Sequence, residues 1–335
     1  FYGAPTPANR KAEELFRANI FSVTRQLRYS RDETQLALDL AIFINGLPVA
    51  TFELKNRLTK QTVEDAVQQY KHARDPRELL FQFGRCVVHF AADDQEARIC
   101  SHLKGKDSWF LPFNKGWADG AGNPPNPSGL KTDYLWKEIL TKAELTDILE
   151  NYAQVVEEKD ERGRKKRKQI FPRFHQLDVV RMLLADAKVR GAGKRYLIQH
   201  SAGSGKSNSI AWLAHQLVGL EKDGAAIFDS IIVVTDRRVL DKQIRDTIRQ
   251  FAQVSATVGH AERAGDLRQF LRTGKKIIIT TVQKFPIVLD EIGDEHRGRK
   301  FAIIIDEAHS SQGGRTAAKM NIALAEQGGA DEEET

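Results

Sequence analysis

The chain has 335 residues, 41% hydrophobic and 29% charged, a balance that excludes a mostly disordered chain and provides length for about two domains. Its net charge of +6 suits a polyanionic partner. The longest apolar runs, such as Ala302-Ile303-Ile304-Ile305, fall far short of the roughly 20 residues a membrane helix needs. No signal-peptide pattern follows Phe1. Two cysteines, Cys86 and Cys100, cannot build a disulfide framework, and no Cys/His spacing reads as a zinc site. The expectation is a cytoplasmic protein with no membrane partner. The opening Phe1 and the acidic end at 328–335 read as cuts within a longer protein.

In chain order, residues 8–27 carry Ala12, Leu15, Phe16 and Ile20 at the helical period and predict a helix. Glu13 or Glu14 on it is a possible acidic member of a site. Residues 36–44 and 49–55 are rich in strand formers, with Asn45-Gly46 between them as a hairpin signal. Val63, Ala66, Val67 and Tyr70 mark one face of a second helix. Strands at 85–91 and 97–101 are expected to pair across Asp93-Asp94. The glycine- and proline-rich stretch 116–129 predicts a long loop, and 136–156 returns to helical periodicity. The run 157–168 has no apolar face and predicts a solvated boundary. Beyond it, strands at 196–199, 230–235, 276–280 and 302–306 alternate with helices near 174–189, 206–219, 238–251 and 264–273. Continuous apolar strands such as Ile231-Ile232-Val233-Val234 suit a parallel sheet covered on both faces. The fold class is therefore α/β.

Gly203-Ser204-Gly205-Lys206-Ser207 follows a predicted strand and opens a predicted helix, the context a P-loop requires. Glycines let backbone N–H groups converge on nucleotide phosphates, and the helix N-terminus adds positive potential. Lys206 would reach the β- and γ-phosphates and Ser207 would ligate Mg²⁺. His200 stands where the full pattern has glycine. Asp306-Glu307 follows an apolar strand, so Asp306 can hold the metal's shell and Glu307 can polarise the attacking water. Together these predict an ATP-hydrolysing core of the RecA type.

The earlier half offers Asp39, then Glu53-Leu54-Lys55. Paired carboxylates can hold Mg²⁺ beside a scissile phosphate while a lysine orients water. Glu53 and Lys55 share a strand face. A two-residue turn at Asn45-Gly46 would pair Asp39 with Phe52 and place Glu53 on the opposite face. A three-residue turn, Asn45-Gly46-Leu47, or an equivalent bulge, pairs Asp39 with Glu53. The second arrangement is the expectation, with an edge salt bridge as the structural alternative for these polar positions.

Asp39 with Glu53-Leu54-Lys55 resembles the PD-(D/E)xK nuclease motif. The resemblance adds Gln69, with the usual following tyrosine out of place. Asp306-Glu307-Ala308-His309 resembles motif II of DEAH-type superfamily 2 translocases, in which His309 links nucleotide and DNA sides. Thr235-Asp236-Arg237-Arg238 resembles motif Ia and Thr280-Thr281-Val282-Gln283-Lys284 motif Ib, implying DNA-backbone contacts by Thr235, Arg237, Thr281, Gln283 and Lys284. Gln176 resembles a Q-motif residue that reads the adenine edge. With Asn45-Gly46-Leu47-Pro48, Phe110-Leu111-Pro112-Phe113-Asn114-Lys115-Gly116, Gly122-Asn123-Pro124 and Phe171-Pro172-Arg173-Phe174-His175-Gln176-Leu177-Asp178, the whole resembles the restriction (R, motor) subunit of type I restriction endonucleases.

The resemblance implies a PD-(D/E)xK endonuclease domain at 1–156, a charged linker at 157–170 and a first RecA-like domain at 171–335. It implies ATP and Mg²⁺ as cofactors and double-stranded DNA, modification and specificity subunits as partners. Motifs III to VI and the second RecA-like domain are not in the sequence, so weak ATP hydrolysis by this chain alone is expected. The competing expectation is a non-cleaving superfamily 2 motor or repair helicase whose first domain is a docking module. The role of Arg162–Lys168 as linker or DNA contact is left between the two, with the linker favoured.

Overall fold

The computed structural model describes residues 2–3, 10–159, 163–201, 203–235, 244–249, 258–261, 263–284 and 298–307. The chain divides into two compact units, Phe1–His175 and Gln176–Thr335.

The first unit opens with α1 (Arg10–Arg17) and β1 (Phe21–Arg28). The single helix expected over 8–27 therefore ends early. Asn19 is the reason: its side chain bonds the backbone N–H and C=O of Tyr2, and Phe21, Val23 and Thr24 beyond it favour a strand. There follow β2 (Ala37–Ile44), β3 (Leu47–Leu54), α2 (Val63–Ala73), β4 (Val88–Ala92), β5 (Ala97–Cys100) and β6 (Leu111–Pro112). The sheet order is β1-β2-β3-β4-β5-β6. Only β3 and β4 run parallel, and between them the chain crosses over through α2.

The periodicity of α2 determines which sheet face it covers. Val63, Ala66, Val67 and Tyr70 are buried and pack with Leu38, Phe81, Ala91 and Leu103. Burying side chains of this size contributes roughly 1.5–3 kcal/mol each. Asp93 anchors the start of α2 by accepting from the Val63 N–H at 2.9 Å. The opposite face is aromatic, with Phe52 and Phe90 stacked at 4.9 Å and Phe113 edge-on to Phe90 at 5.7 Å. The expected long loop at 116–129 is pinned by buried Asn123, which donates to Gln95 O and Asn114 Oδ1 and accepts from Lys115 N.

After α3 (Lys142–Asn151) comes the largest departure from expectation. The charged run is not an extended linker: β7 (Gln154–Lys159) and β8 (Lys165–Ile170) pair antiparallel over their full length. The helix expected to reach residue 156 accordingly stops at Asn151. Cys86 and Cys100 are buried free thiols.

The chain continues through α4 (Phe174–Arg190), α5 (Lys206–Val218), a short ribbon of β9 (Glu221–Lys222) and β10 (Ala225–Ala226), β11 (Ser230–Thr235), β12 (Val258–His260), α6 (Ala264–Arg272), β13 (Ile277–Thr281) and β14 (Phe301–Ile305). The second unit's parallel sheet has the order β12-β13-β11-β14. Ile231, Val233, Ile277 and Ile279 pack with Ala211, Ala214 and Leu217 of α5. The alternate residues Ile232, Val234 and Ile278 pack with Leu267 and Leu271 of α6. Two-sided burial explains the unbroken apolar runs. Residues 196–199, expected as a strand, pair with no described strand, and Leu197 is 90% exposed. Tyr196 is tied to α4 instead, its hydroxyl donating to Asp186 at 2.5 Å.

Candidate functional site

The hairpin between β2 and β3 decides whether the predicted carboxylates meet. Asn45 and Gly46 both adopt positive φ, 52° and 77°, and Ile44 pairs with Leu47. The turn thus has two residues, not the three expected, as Asn-Gly favours. Such a turn alone would set Asp39 opposite Phe52. The register shifts between Ile42 and Phe43, however: Phe43 pairs with Pro48 but Ile42 pairs with Ala50. Val49 is the extra residue of a β-bulge beside Pro48, which has no N–H to give the ladder. Pairing then continues as Ala41 with Thr51 and Leu40 with Phe52, the last ladder pair before Asp39 and Glu53. The bulge gives, as far as Leu40 and Phe52, the register that the three-residue turn was expected to give.

Asp39 is held from two sides. Its Oδ2 accepts from the Leu54 N–H at 2.8 Å and its Oδ1 from Gln26 Nε2 at 3.2 Å. Gln26 was missed by sequence reasoning. It has φ +50° within β1, a conformation costly for a residue with a side chain, and with Asp39 it lines an open cleft of about 800 Å³ together with Thr24, Arg25 and Leu54.

Glu53 is fully buried. Its Oε1 accepts from Arg74 Nε at 2.6 Å, while its Oε2 has no hydrogen-bond partner. Burial pushes the carboxyl up to about 7, outweighing Arg74, and the nearby Asp39 adds to the rise. Arg74, also missed, donates further to the Tyr29 hydroxyl and to Ala37 O. Arg74 is the first residue past α2 and its backbone is extended, so helical periodicity carried no signal for it. Lys55 Nζ donates to Gln69 Oε1 at 2.5 Å, so α2 and the residue that follows it supply partners to Lys55 and Glu53. Next along the strand face, Thr51 Oγ1 bonds Tyr70 Oη at 2.8 Å and His89 Nδ1 at 2.7 Å.

Among the described residues no cluster of three or more His, Cys, Asp or Glu forms. A divalent ion of the Mg²⁺ type needs fewer protein ligands, one or two carboxylates completed by water and substrate phosphate. An unpartnered buried Glu53 oxygen near a fixed Asp39 fits that requirement. Glu13 does not join: it pairs with Arg17 on the surface at 2.6 Å.

In the second unit, Gly203 and Gly205 adopt φ +72° and +84° at the entrance to α5, which Lys206 opens. The left-handed glycines and the helix N-terminus have the backbone geometry that a phosphate cradle requires, with Ser204 buried and Ser207 on the first turn of α5. Lys206 Nζ forms an ion pair with Glu307 Oε1 at 2.6 Å, and Asp306 is buried just past the end of β14. Gln176 takes a place different from the one expected. Its buried amide donates to the Ser204 and Gly205 carbonyls at 3.1 and 2.9 Å, bracing the loop, and a Cβ on Gly205 would lie 2.4 Å from its Nε2.

The residues expected to meet a nucleic-acid backbone divide. Thr235 and Thr281 are buried, with the Thr235 hydroxyl directed at Thr280 O. Lys284 bonds Ala261 O at 3.0 Å, and Gln283 is exposed. Arg237 and His309 lie outside the described residues.

Comparison with known proteins matches these two halves separately. Residues 9–108 match the type I restriction enzyme R protein N-terminal family, and residues 175–328 match the SWI2/SNF2 ATPase family. The putative type I restriction enzyme MjaIXP endonuclease subunit of Methanocaldococcus jannaschii is 26% identical over 318 residues, 85% of this chain and 28% of that protein. The type I restriction enzyme HindI endonuclease subunit of Haemophilus influenzae is 27% identical over 319 residues, 90% of this chain and 29% of that protein. A Staphylococcus aureus type I restriction enzyme endonuclease subunit is 26% identical over 303 residues, 88% of this chain and 30% of that protein. The chain thus spans under a third of the length of these relatives. With both domain models matched in this order and such relatives along most of its length, the chain is similar to type I restriction enzyme endonuclease subunits.

Proposed function

We propose that this chain carries the nuclease site and the nucleotide-binding half of a motor that cuts double-stranded DNA after ATP-driven translocation, acting with modification and specificity subunits. The first unit is read as a PD-(D/E)xK nuclease. Asp39 and Glu53 hold Mg²⁺, which supplies a Lewis acid for the scissile phosphate and an activated water. Lys55, oriented by Gln69, offsets charge developing on the phosphate and positions the water. The observation that carries the reading is the Val49 bulge, whose register leads the Asp39 end of β2 toward the end of β3, where Asp39 accepts from the Leu54 N–H and buried Glu53 retains an unpartnered oxygen.

In the second unit, Gly203, Ser204, Gly205 and Lys206 cradle the triphosphate, Ser207 and Asp306 hold its Mg²⁺, and Glu307 orients the attacking water. Exposed Gln283 is the motif Ib residue available to a DNA backbone.

The Arg74–Glu53 ion pair favours one rival, a docking module in which Glu53 is structural. Cleavage of circular DNA by the assembled complex separates the two. Lys55→Ala is expected to abolish cutting and leave ATP hydrolysis intact, while Lys206→Ala abolishes both. Cutting that survives in both Lys55→Ala and Glu53→Gln overturns the nuclease assignment and leaves a motor.

A further inference from the structure

The β7–β8 ribbon is absorbed by neither site. Four consecutive residues of β8, Lys165-Lys166-Arg167-Lys168, are exposed, and so is Arg164 before them. A strand of this composition buries almost nothing of its own, so its order comes from its anchored end. Gln169 is buried and its Nε2 donates to Cys86 O and Val87 O, both at 2.7 Å. Its own carbonyl accepts from Ser101 Oγ at 2.8 Å. The Val87 N–H bonds Val49 O at 2.8 Å, so the ribbon hangs from the start of the β3–β4 pair. Four residues of β3 separate that anchor from Glu53, about 13 Å at about 3.3 Å per residue.

The ribbon's cations meet others on the same unit. The Arg167 guanidinium lies 5.5 Å from the centre of the Phe83 ring, and His102 stacks edge-on to that ring at 4.9 Å. Burial, Lys104 and Lys166 together hold His102 below its ordinary value, a sign that both lysines raise the local positive potential. The neighbouring carboxylates are weak competitors. Glu157 meets Lys165 at 3.1 Å and Glu158 meets Lys168 at 3.5 Å, each pair more than half exposed on both sides, where an ion pair is worth little. Among the described residues Lys104, Lys166 and Arg167 carry no ion pair.

We propose that the β7–β8 ribbon, with Lys104 beside it, is a docking surface for the phosphate backbone of duplex DNA, fixed to the nuclease unit on the far end of β3 from Glu53. Cations on one face of the ribbon recur about every 6.6 Å, close to twice the roughly 3.4 Å between successive phosphates of a DNA strand. Nothing on the surface reads bases, so the contact is sequence-independent and positions the duplex. It rests on the DNA reading above but not on cleavage.

The test is duplex binding by the chain in EDTA, across a range of salt, for the wild type and for the combined variant Lys104→Ala, Lys166→Ala, Lys168→Ala. Arg167 is kept because it packs on Phe83. The slope of log affinity against log salt is expected to become shallower by about 2–3, at about 0.9 for each phosphate no longer neutralised. Arginine at the same three positions is expected to restore it. An unchanged slope in the folded alanine variant overturns the proposal, as does a wild-type chain that binds no duplex. Should the variant fail to fold, lysine acetylation of the wild type decides: protection of Lys166 and Lys168 by duplex supports the surface, and equal labelling overturns it. Because EDTA removes any metal, loss of cutting in Lys55→Ala has no bearing on this result, and failure here leaves the Asp39–Glu53 assignment standing.

Discussion

Replacing Arg74 with Met asks how much of the first unit's stability depends on a single buried ion pair. Both side chains are nearly inaccessible, 4% exposed for Arg74 and fully buried for Glu53. The substitution keeps side-chain volume but removes donors to Glu53 Oε1, the Tyr29 hydroxyl and Ala37 O. Breaking a buried pair from one side costs about 3–5 kcal/mol. Summing the acceptors left behind, at about 1–3 kcal/mol each, gives the same order. The loss depends on pH in a defined direction. Glu53 is already raised to about 7, and removing the guanidinium raises it further. At pH 5.5 the orphaned carboxyl is neutral and the loss falls toward the low end; at pH 8 its ionisation is opposed and the loss is largest. Urea denaturation at the two pH values measures this, with Glu53→Gln/Arg74→Met expected to recover much of the pH 8 loss. A loss under about 1 kcal/mol at pH 8, or one independent of pH, would refute the pairing argument.

Two further perturbations probe the neighbouring chemistry. His89 is buried beside Thr51, and burial lowers it from 6.5 to about 3. Below pH 6.5 the unfolded chain binds a proton that the native imidazole refuses, so this stability is complete above 6.5 and is lost as pH falls toward 3. At pH 5 the loss is about 2 kcal/mol, and the difference between wild type and His89→Gln in denaturation midpoints across pH 5–7.5 should show it; parallel curves would count against it. Gln176→Ala is expected to weaken ATP and GTP binding alike, because the amide braces the Ser204 and Gly205 carbonyls. A selective loss of ATP over GTP, read by nucleotide titration, would restore the adenine-reading role.

Much of this arrangement was legible in the residues. Alternation placed Glu53 and Lys55 on one face, and parity alone required either a three-residue turn or a bulge to bring Asp39 there. What parity could not decide was which. The type I′ preference of Asn45-Gly46 is local and strong, whereas the bulge at Val49 depends on Pro48 and on pairing with a strand distant in sequence. The signal of the second unit, continuous β-branched strands, survived because burial on both faces is written into composition. The ribbon at 154–170 was illegible for the converse reason. Its strands have no apolar alternation, and its order derives from Gln169 bonding carbonyls more than eighty residues away. Arg74 follows the end of α2 with extended backbone, outside the helical period that marked the stripe.

The two candidate sites share one feature with opposite energetic consequences: in each, the lysine is already engaged. Lys55 is held by a neutral amide, Gln69, so a phosphate that approaches it displaces no charge and gains the full attraction of the ammonium. Lys206 is held by the carboxylate of Glu307 at 2.6 Å, so a triphosphate must exchange one anionic partner for another. The pair is only partly buried, which keeps the cost of that exchange small. Once phosphate oxygens take Lys206, they repel the carboxylate that held it. On the proposed reading, Glu307 would leave the lysine when a γ-phosphate arrives, which is when a water-orienting carboxylate is needed. On this reading the Lys206–Glu307 ion pair keeps Glu307 from acting as a base before the cradle fills, and nucleotide binding itself releases it.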